Sequence, residues 1–164
     1  MATARIIRVV LVEDHSGIRE GLHSFLESYP DVAVVGEAAS GHEAMALVER
    51  LLPTVVVMDI NIPAMDGITA TRLLRARYPN IPVIGLTIHV EQHYLRLMQE
   101  AGAFRVLTKG EDAVDGLYQA IRAAAASLDI PVGPQEPAAP SRYNPAKTSR
   151  EQSAYGPTLR SEGS

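Results

Sequence analysis

The chain has 164 residues, enough for one domain with a full core and an appendage but not for two full domains. Its apolar fraction of 46% and charged fraction of 21% are those of an ordinary globular protein, and the lack of cysteine excludes disulfides, thiol catalysis and cysteine-ligated zinc. The net charge of -4 divides into -5 up to Asp129 (16 acidic, 11 basic) and +1 beyond it (3 acidic, 4 basic), with no run of Arg or Lys, so nothing favours direct nucleic-acid binding.

Ile6 to Val12 is a mostly apolar run that ends in Glu13 and Asp14. These acids leave the apolar segment behind Arg5 and Arg8 too short for a signal sequence or a membrane span, so a cytoplasmic protein with no membrane partner is expected. Ile18, Leu22, Phe25, Leu26 and Tyr29 then recur at helical spacing, with Ser16 as the expected N-cap and Pro30 as the stop. Val32 to Val35 reads as a short strand. Gly41 opens a helix with Ala44, Met45, Val48 and Leu52 on its inner face, closed by Pro53.

Val55, Val56, Val57 and Met58 form an apolar run without polar alternation, as expected of a strand covered on both faces, and the run ends abruptly in Asp59. Asp66 and Gly67 lead into a third helix through Ala70, Leu73 and Leu74, stopped by Pro79. Ile81 to Thr87 is a fourth strand. Tyr94, Leu97, Met98 and Ala101 make the stripe of the next helix, which Gly102 caps, and Phe104 to Thr108 is a fifth strand. Val114, Leu117, Tyr118, Ile121, Ala125 and Leu128 form the inner face of the last helix.

Five strands alternating with five helices over short connections predict right-handed crossovers and a doubly wound parallel α/β sheet. The flavodoxin-like (βα)5 order 2-1-3-4-5 is the expected winding. This domain is expected to span residues 5–129. From Pro131 the chain carries six prolines in 34 residues with many Ser and Gly, so 130–164 is expected to be a disordered tail.

Ligands of such sheets bind outside the carboxyl ends of the strands. There the chain places Glu13 and Asp14 after the first strand, Asp59 after the third, Thr87 after the fourth and Lys109 after the fifth. Carboxylates about 4 Å apart repel by roughly 4 kcal/mol per pair at a surface-like dielectric, which a divalent cation would relieve. Oxygen donors without His or Cys suit Mg²⁺. With Lys109 and Thr87 they would neutralise the oxygens of a phosphoryl group arriving at Asp59, the expected acceptor, as an acyl phosphate.

This set resembles the receiver domain of bacterial two-component response regulators. The likeness rests on VEDH, the DINIPAMDG block, a Thr closing IGLT and a Lys closing VLTK, over roughly Ile6 to Leu128. RARYPNIPVIGLT and the GA before VLTK look most like the receivers of LuxR/NarL-type regulators. The resemblance implies Asp59 as phosphoacceptor, Asp14 as a direct Mg²⁺ ligand and Glu13 as holder of metal-bound water. It further implies the Asn61 carbonyl as a ligand, Thr87 as the switch hydroxyl and Lys109 as the phosphate-pairing lysine. The implied partners are a histidine kinase or phosphotransfer protein as donor, and a downstream protein target or a self-dimer read at the fourth helix, fifth strand and fifth helix. Such a protein catalyses only its own phosphorylation and dephosphorylation, not a reaction on an outside substrate.

Three features depart from the family pattern. Val106 stands where an aromatic is usual, Ile88 follows Thr87 where a small residue is common, and nothing after Pro131 reads as the helix-turn-helix output of LuxR/NarL-type regulators. Two readings therefore stand beside the phosphorylated switch: a receiver truncated from a DNA-binding regulator, and a phosphorylation-independent interaction module. A flavodoxin-like enzyme or nucleotide binder has less support, because EDHSG is not a glycine-rich phosphate loop. His15, His89 and His93 read as polar loop or helix-start residues, with His89 also placed to influence hydrolysis. Met45, Met58 and Met98 read as core fillers, and Asp66-Gly67 as a turn and helix start.

Overall fold

The computed structural model describes residues 5–62, 65–88, 91–110 and 113–128. The expected tail at 130–164 and the role suggested for His89 lie outside the described residues. Five strands, β1 (Ile7–Val12), β2 (Val32–Ala38), β3 (Val55–Asp59), β4 (Val83–Thr87) and β5 (Arg105–Thr108), alternate with five helices. The helices are α1 (Ser16–Glu27), α2 (Gly41–Leu51), α3 (Gly67–Arg77), α4 (Gln92–Glu100) and α5 (Ala113–Ser127). The strands pair in parallel in the order β2-β1-β3-β4-β5, the winding expected of the alternation.

Period-2 side-chain alternation sorts the apolar residues onto two faces. Val9, Leu11, Val55, Val57, Ile84 and Leu86 meet Leu26 of α1 and Leu117 and Ile121 of α5. Val10, Val12, Val56, Met58 and Val83 meet Ala44 and Val48 of α2 and Ala70 and Leu74 of α3. Both faces of β1 and β3 are therefore dry. Each such Val or Leu contributes about 1.5–3 kcal/mol by leaving water, which makes these two strands the firmest support available for a site. The register carries that support across, with Val12 beside Met58 and Asp59 beside Leu86.

Several positions differ from the sequence reading. The N-cap of α1 is His15, whose Nδ1 accepts from the Ile18 amide at 3.4 Å, not Ser16, which is the first helical residue. β2 runs on to Ala38 because Gly36 lets the strand shift register against β1 and pass beneath Leu47 and Leu51. Leu52 does not face the core: α2 ends at Leu51, and Leu52 turns into left-handed backbone (φ 44°) with 58% of its surface exposed. Ile18, Leu73, Val114 and Leu128 are likewise exposed, so the inner faces are narrower than the apolar stripes. Fully buried Thr71 shares the inner face of α3 with Ala70 and Leu74. Gly102 follows the end of α4 with φ 101°, a conformation few side chains tolerate. Met58 and Met98 are buried and Met45 packs partly against the core. Among the described residues, no helix is long and apolar enough to cross a membrane.

Candidate functional site

The three carboxylates converge. β1 and β3 are neighbours, so the residues following one and ending the other emerge side by side, and carboxylate oxygens of Glu13, Asp14 and Asp59 all lie within 4.8 Å of one another. Glu13 is only 1% exposed and Asp59 3%, whereas Asp14 faces solvent. The backbone fixes Glu13 on both sides: its amide donates to Ala38 O at 2.9 Å, and its carbonyl accepts from Arg19 Nη1 at 2.8 Å. Arg19 is a support that the sequence reading missed; a lone arginine on an exposed helix face gives no pattern to find it by.

Asp59 Oδ1 accepts from the Asn61 amide at 3.1 Å, a side-chain turn onto the chain two residues ahead. Lys109 Nζ lies 3.2 Å from Asp59 Oδ2 and 2.5 Å from Glu13 Oε2. The ammonium therefore bridges the two buried acids and leans toward Glu13, a pairing across 96 residues of chain. Its own amide donates to Thr87 O at 2.6 Å, so the backbones of β4 and β5 set where the lysine starts. Thr87 is fully buried at the end of β4, one residue beyond Leu86, the partner of Asp59. Of the flanking departures, Ile88 is 63% exposed and Val106 half-buried, with its methyl groups near Gly85.

Burial is the largest influence on Glu13 and pushes its carboxyl above the usual value, helped by the neighbouring Asp59 charge. The hydrogen bond and charge of Lys109 pull the other way, and burial prevails. One ammonium against three carboxylates leaves the pocket with a negative excess. The donors are all oxygen, so the residues fit a hard divalent cation. Two cavities, of about 240 Å³ beside Thr54, Arg122 and Leu128 and about 310 Å³ beside Leu52, Pro53 and Tyr78, lie at the opposite edge of the sheet. Charge and burial, not volume, mark the site. His15 is a helix cap, and His93 stacks edge-on against Tyr94 in α4 with ring centroids 5.5 Å apart.

Residues 9–122 match the family model described as the response regulator receiver domain. The chain belongs to the response regulator receiver family. Among curated relatives the receiver is 39% identical over 119 residues to the transcriptional regulatory protein DegU of Brevibacillus brevis, covering 73% of this chain and 50% of that protein. It is 40% identical over 119 residues to the transcriptional regulatory protein LiaR of Bacillus subtilis (strain 168), covering 73% and 56%. The chain thus spans about half the length of the curated relatives it matches. Among solved structures it resembles a LuxR-family two-component response regulator from Aurantimonas sp. SI85-9A1, with a TM-score of 0.71 at 38% identity over 74% of this chain and 86% of that one. It also resembles the response regulator domain of Thermotoga maritima CheB, with a TM-score of 0.68 at 29% identity over 79% and 100%. The family and the LuxR/NarL likeness expected from the motifs are thus established, on the doubly wound fold expected from the alternation.

Proposed function

We propose that Asp59 accepts a phosphoryl group from a histidine kinase or phosphotransfer protein, and that the product changes how this receiver binds a downstream protein or a second copy of itself. The observation that carries the reading is the Asp59 carboxylate, nearly buried at the end of β3 between two further acids and 3.2 Å from Lys109 Nζ. A carboxylate oxygen of Asp59 attacks phosphorus; the O–P bond forms as the donor's N–P bond breaks, and the departing imidazole keeps the electron pair and takes a proton from water. Asp14, Asp59 and the Asn61 carbonyl would hold Mg²⁺ directly and Glu13 through water; the ion supplies charge neutralisation at the phosphoryl oxygens.

The new dianion attracts Lys109 away from Glu13, and the Thr87 hydroxyl donates to a phosphoryl oxygen. Both residues stand at the ends of β4 and β5, so their movement repacks that side of the domain. This is a shift between two states, not a reaction on an outside substrate. Several relatives are named as transcriptional regulators, which supports a cytoplasmic role in controlling transcription through a further domain or partner. Val106 favours a second reading, in which the same surface carries protein contacts without phosphorylation.

Trapping the acyl phosphate tests the assignment. After incubation with acetyl phosphate and Mg²⁺, borohydride reduction should convert Asp59, and no other residue, to homoserine in peptide mass maps. Conversion elsewhere, or none in the folded protein, would overturn the assignment.

A further inference from the structure

Two glycines touch the segment that carries Asp59. Gly67, the first residue of α3, lies against the backbone of the acceptor itself. A Cβ there would overlap the Asp59 carbonyl oxygen and come within 2.7 Å of Ile60 Cα and 2.9 Å of the Asp59 carbonyl carbon. Gly41, the first residue of α2, lies against the far end of the same connection, where a Cβ would meet Met65 Cβ at 2.8 Å and Met65 O at 2.9 Å. Neither glycine has the positive φ of Gly102, so contact, not backbone freedom, is what requires them.

Neither helix can easily retreat. Asp66 Oδ1 accepts from the Thr69 amide at 2.8 Å, and the Gly67 amide donates to Ile60 O at 2.9 Å. Ser40 Oγ accepts from the Glu43 amide at 3.2 Å while Glu43 Oε2 accepts from the Ala39 amide at 2.9 Å, so both helix starts are fixed by reciprocal or side-chain caps. A methyl group at Gly67 would therefore press on Asp59 and Ile60 at the start of the connection, and one at Gly41 on Met65 at its end. That connection holds Asn61, whose amide orients the Asp59 carboxylate.

We infer that Gly67 and Gly41 are positioning residues for Asp59, setting from two helices where its carboxylate meets Lys109 and a phosphoryl donor. The inference rests on the phosphoacceptor reading for its kinetic consequence but not for its structural one. Gly36 supplies the control: a Cβ there also meets an atom at 2.9 Å, but that atom is the flexible end of Leu51, remote from the carboxylates.

The test compares Gly67→Ala, Gly41→Ala and Gly36→Ala by thermal unfolding, by the rate of acetyl-phosphate labelling with Mg²⁺, and by the Asn61 amide resonance. Displacement of a reacting group by an ångström lowers a rate up to about a hundredfold, so Gly67→Ala should label at least about tenfold more slowly. Gly41→Ala should follow with a smaller loss. Both should move the Asn61 amide resonance, whereas Gly36→Ala should leave the rate and that resonance unchanged. Parent rates and an unmoved amide in the two site variants would overturn the inference, as would an equal loss of rate in Gly36→Ala. If Gly67→Ala does not fold, Gly41→Ala decides. A parent protein that takes no label refutes the phosphoacceptor reading instead, and the amide resonance alone then decides the positioning role.

Discussion

At the edge where the strands begin, several polar side chains meet partners of their own. Arg75 Nη1 donates to Pro79 O at 2.6 Å and Ile81 O at 3.0 Å, Arg8 Nη1 donates to Leu52 O at 3.1 Å, and the Tyr118 hydroxyl donates to both oxygens of Asp31 at 2.8 and 3.0 Å. At the edge where they end, Lys109 pairs with Glu13 and Asp59, while Asp14 stands beside them outside that pairing. Both edges belong to the same five strands and both rest on the same dry core. One edge closes the fold with satisfied hydrogen bonds. The other carries an electrostatic excess that an added cation, a proton on Glu13 or a rearranged lysine would relieve, the property expected of a surface used for chemistry.

The widest separation between the edges should come from Mg²⁺ itself. At a concentration 100-fold above its dissociation constant, a ligand that binds only the native state stabilises by about 2.7 kcal/mol. Thermal unfolding of the parent should show a rise of that size, and Asp59→Asn should lose most of it; an equal rise in both would remove Asp59 from the binding set. Next in size is Arg75→Ala. It strips the half-buried Ile81 carbonyl and the exposed Pro79 carbonyl of their donor and should cost about 1.5 kcal/mol, while leaving the response to Mg²⁺ as in the parent. A diminished Mg²⁺ response would mean that the edges are coupled.

Much of this contrast is legible in the sequence alone. Uninterrupted apolar runs announced β1 and β3, and the abrupt polar residues after them announced the edge at which they emerge. The orientation of Lys109 was not legible, because its lean toward Glu13 depends on two side chains 96 positions apart. Nor were the close approaches at Gly41 and Gly67, since helix-start glycines look alike whether or not a backbone lies against them. Ser16 is a better N-cap by residue type than His15, but the chain enters α1 one residue earlier, where the imidazole nitrogen reaches the Ile18 amide. Leu52 extended an apolar stripe that the αL turn before Pro53 had already ended.

That turn supplies a smaller effect at the strand-start edge. Leu52 holds left-handed backbone with little burial to offset it, so Leu52→Gly should stabilise by about 1 kcal/mol, read from denaturant midpoints with phosphorylation unaffected. A destabilised variant would show that Leu52 packs more than its exposure indicates.

The smallest effect expected is a pH dependence at the other edge. Burial raises the folded-state value of Glu13 above its ordinary 4.5, so the native state binds the proton more tightly than the unfolded chain. Its contribution to stability is present below 4.5 and is lost as pH rises through the raised value. Without divalent cations, the melting temperature of the parent relative to Glu13→Gln should therefore fall over that interval. A difference that stays flat or grows with pH would mean that Lys109, not burial, governs this carboxyl.

The measurement that bears most directly on Asp59 is intact mass after incubation with acetyl phosphate, with and without Mg²⁺, for the parent and Asp59→Asn. The expected result is a gain of one phosphoryl group in the parent, dependent on Mg²⁺ and absent from the variant. Equal gain in the variant, or no gain in a folded parent under any condition, would contradict the proposal that this edge exists to receive a phosphoryl group.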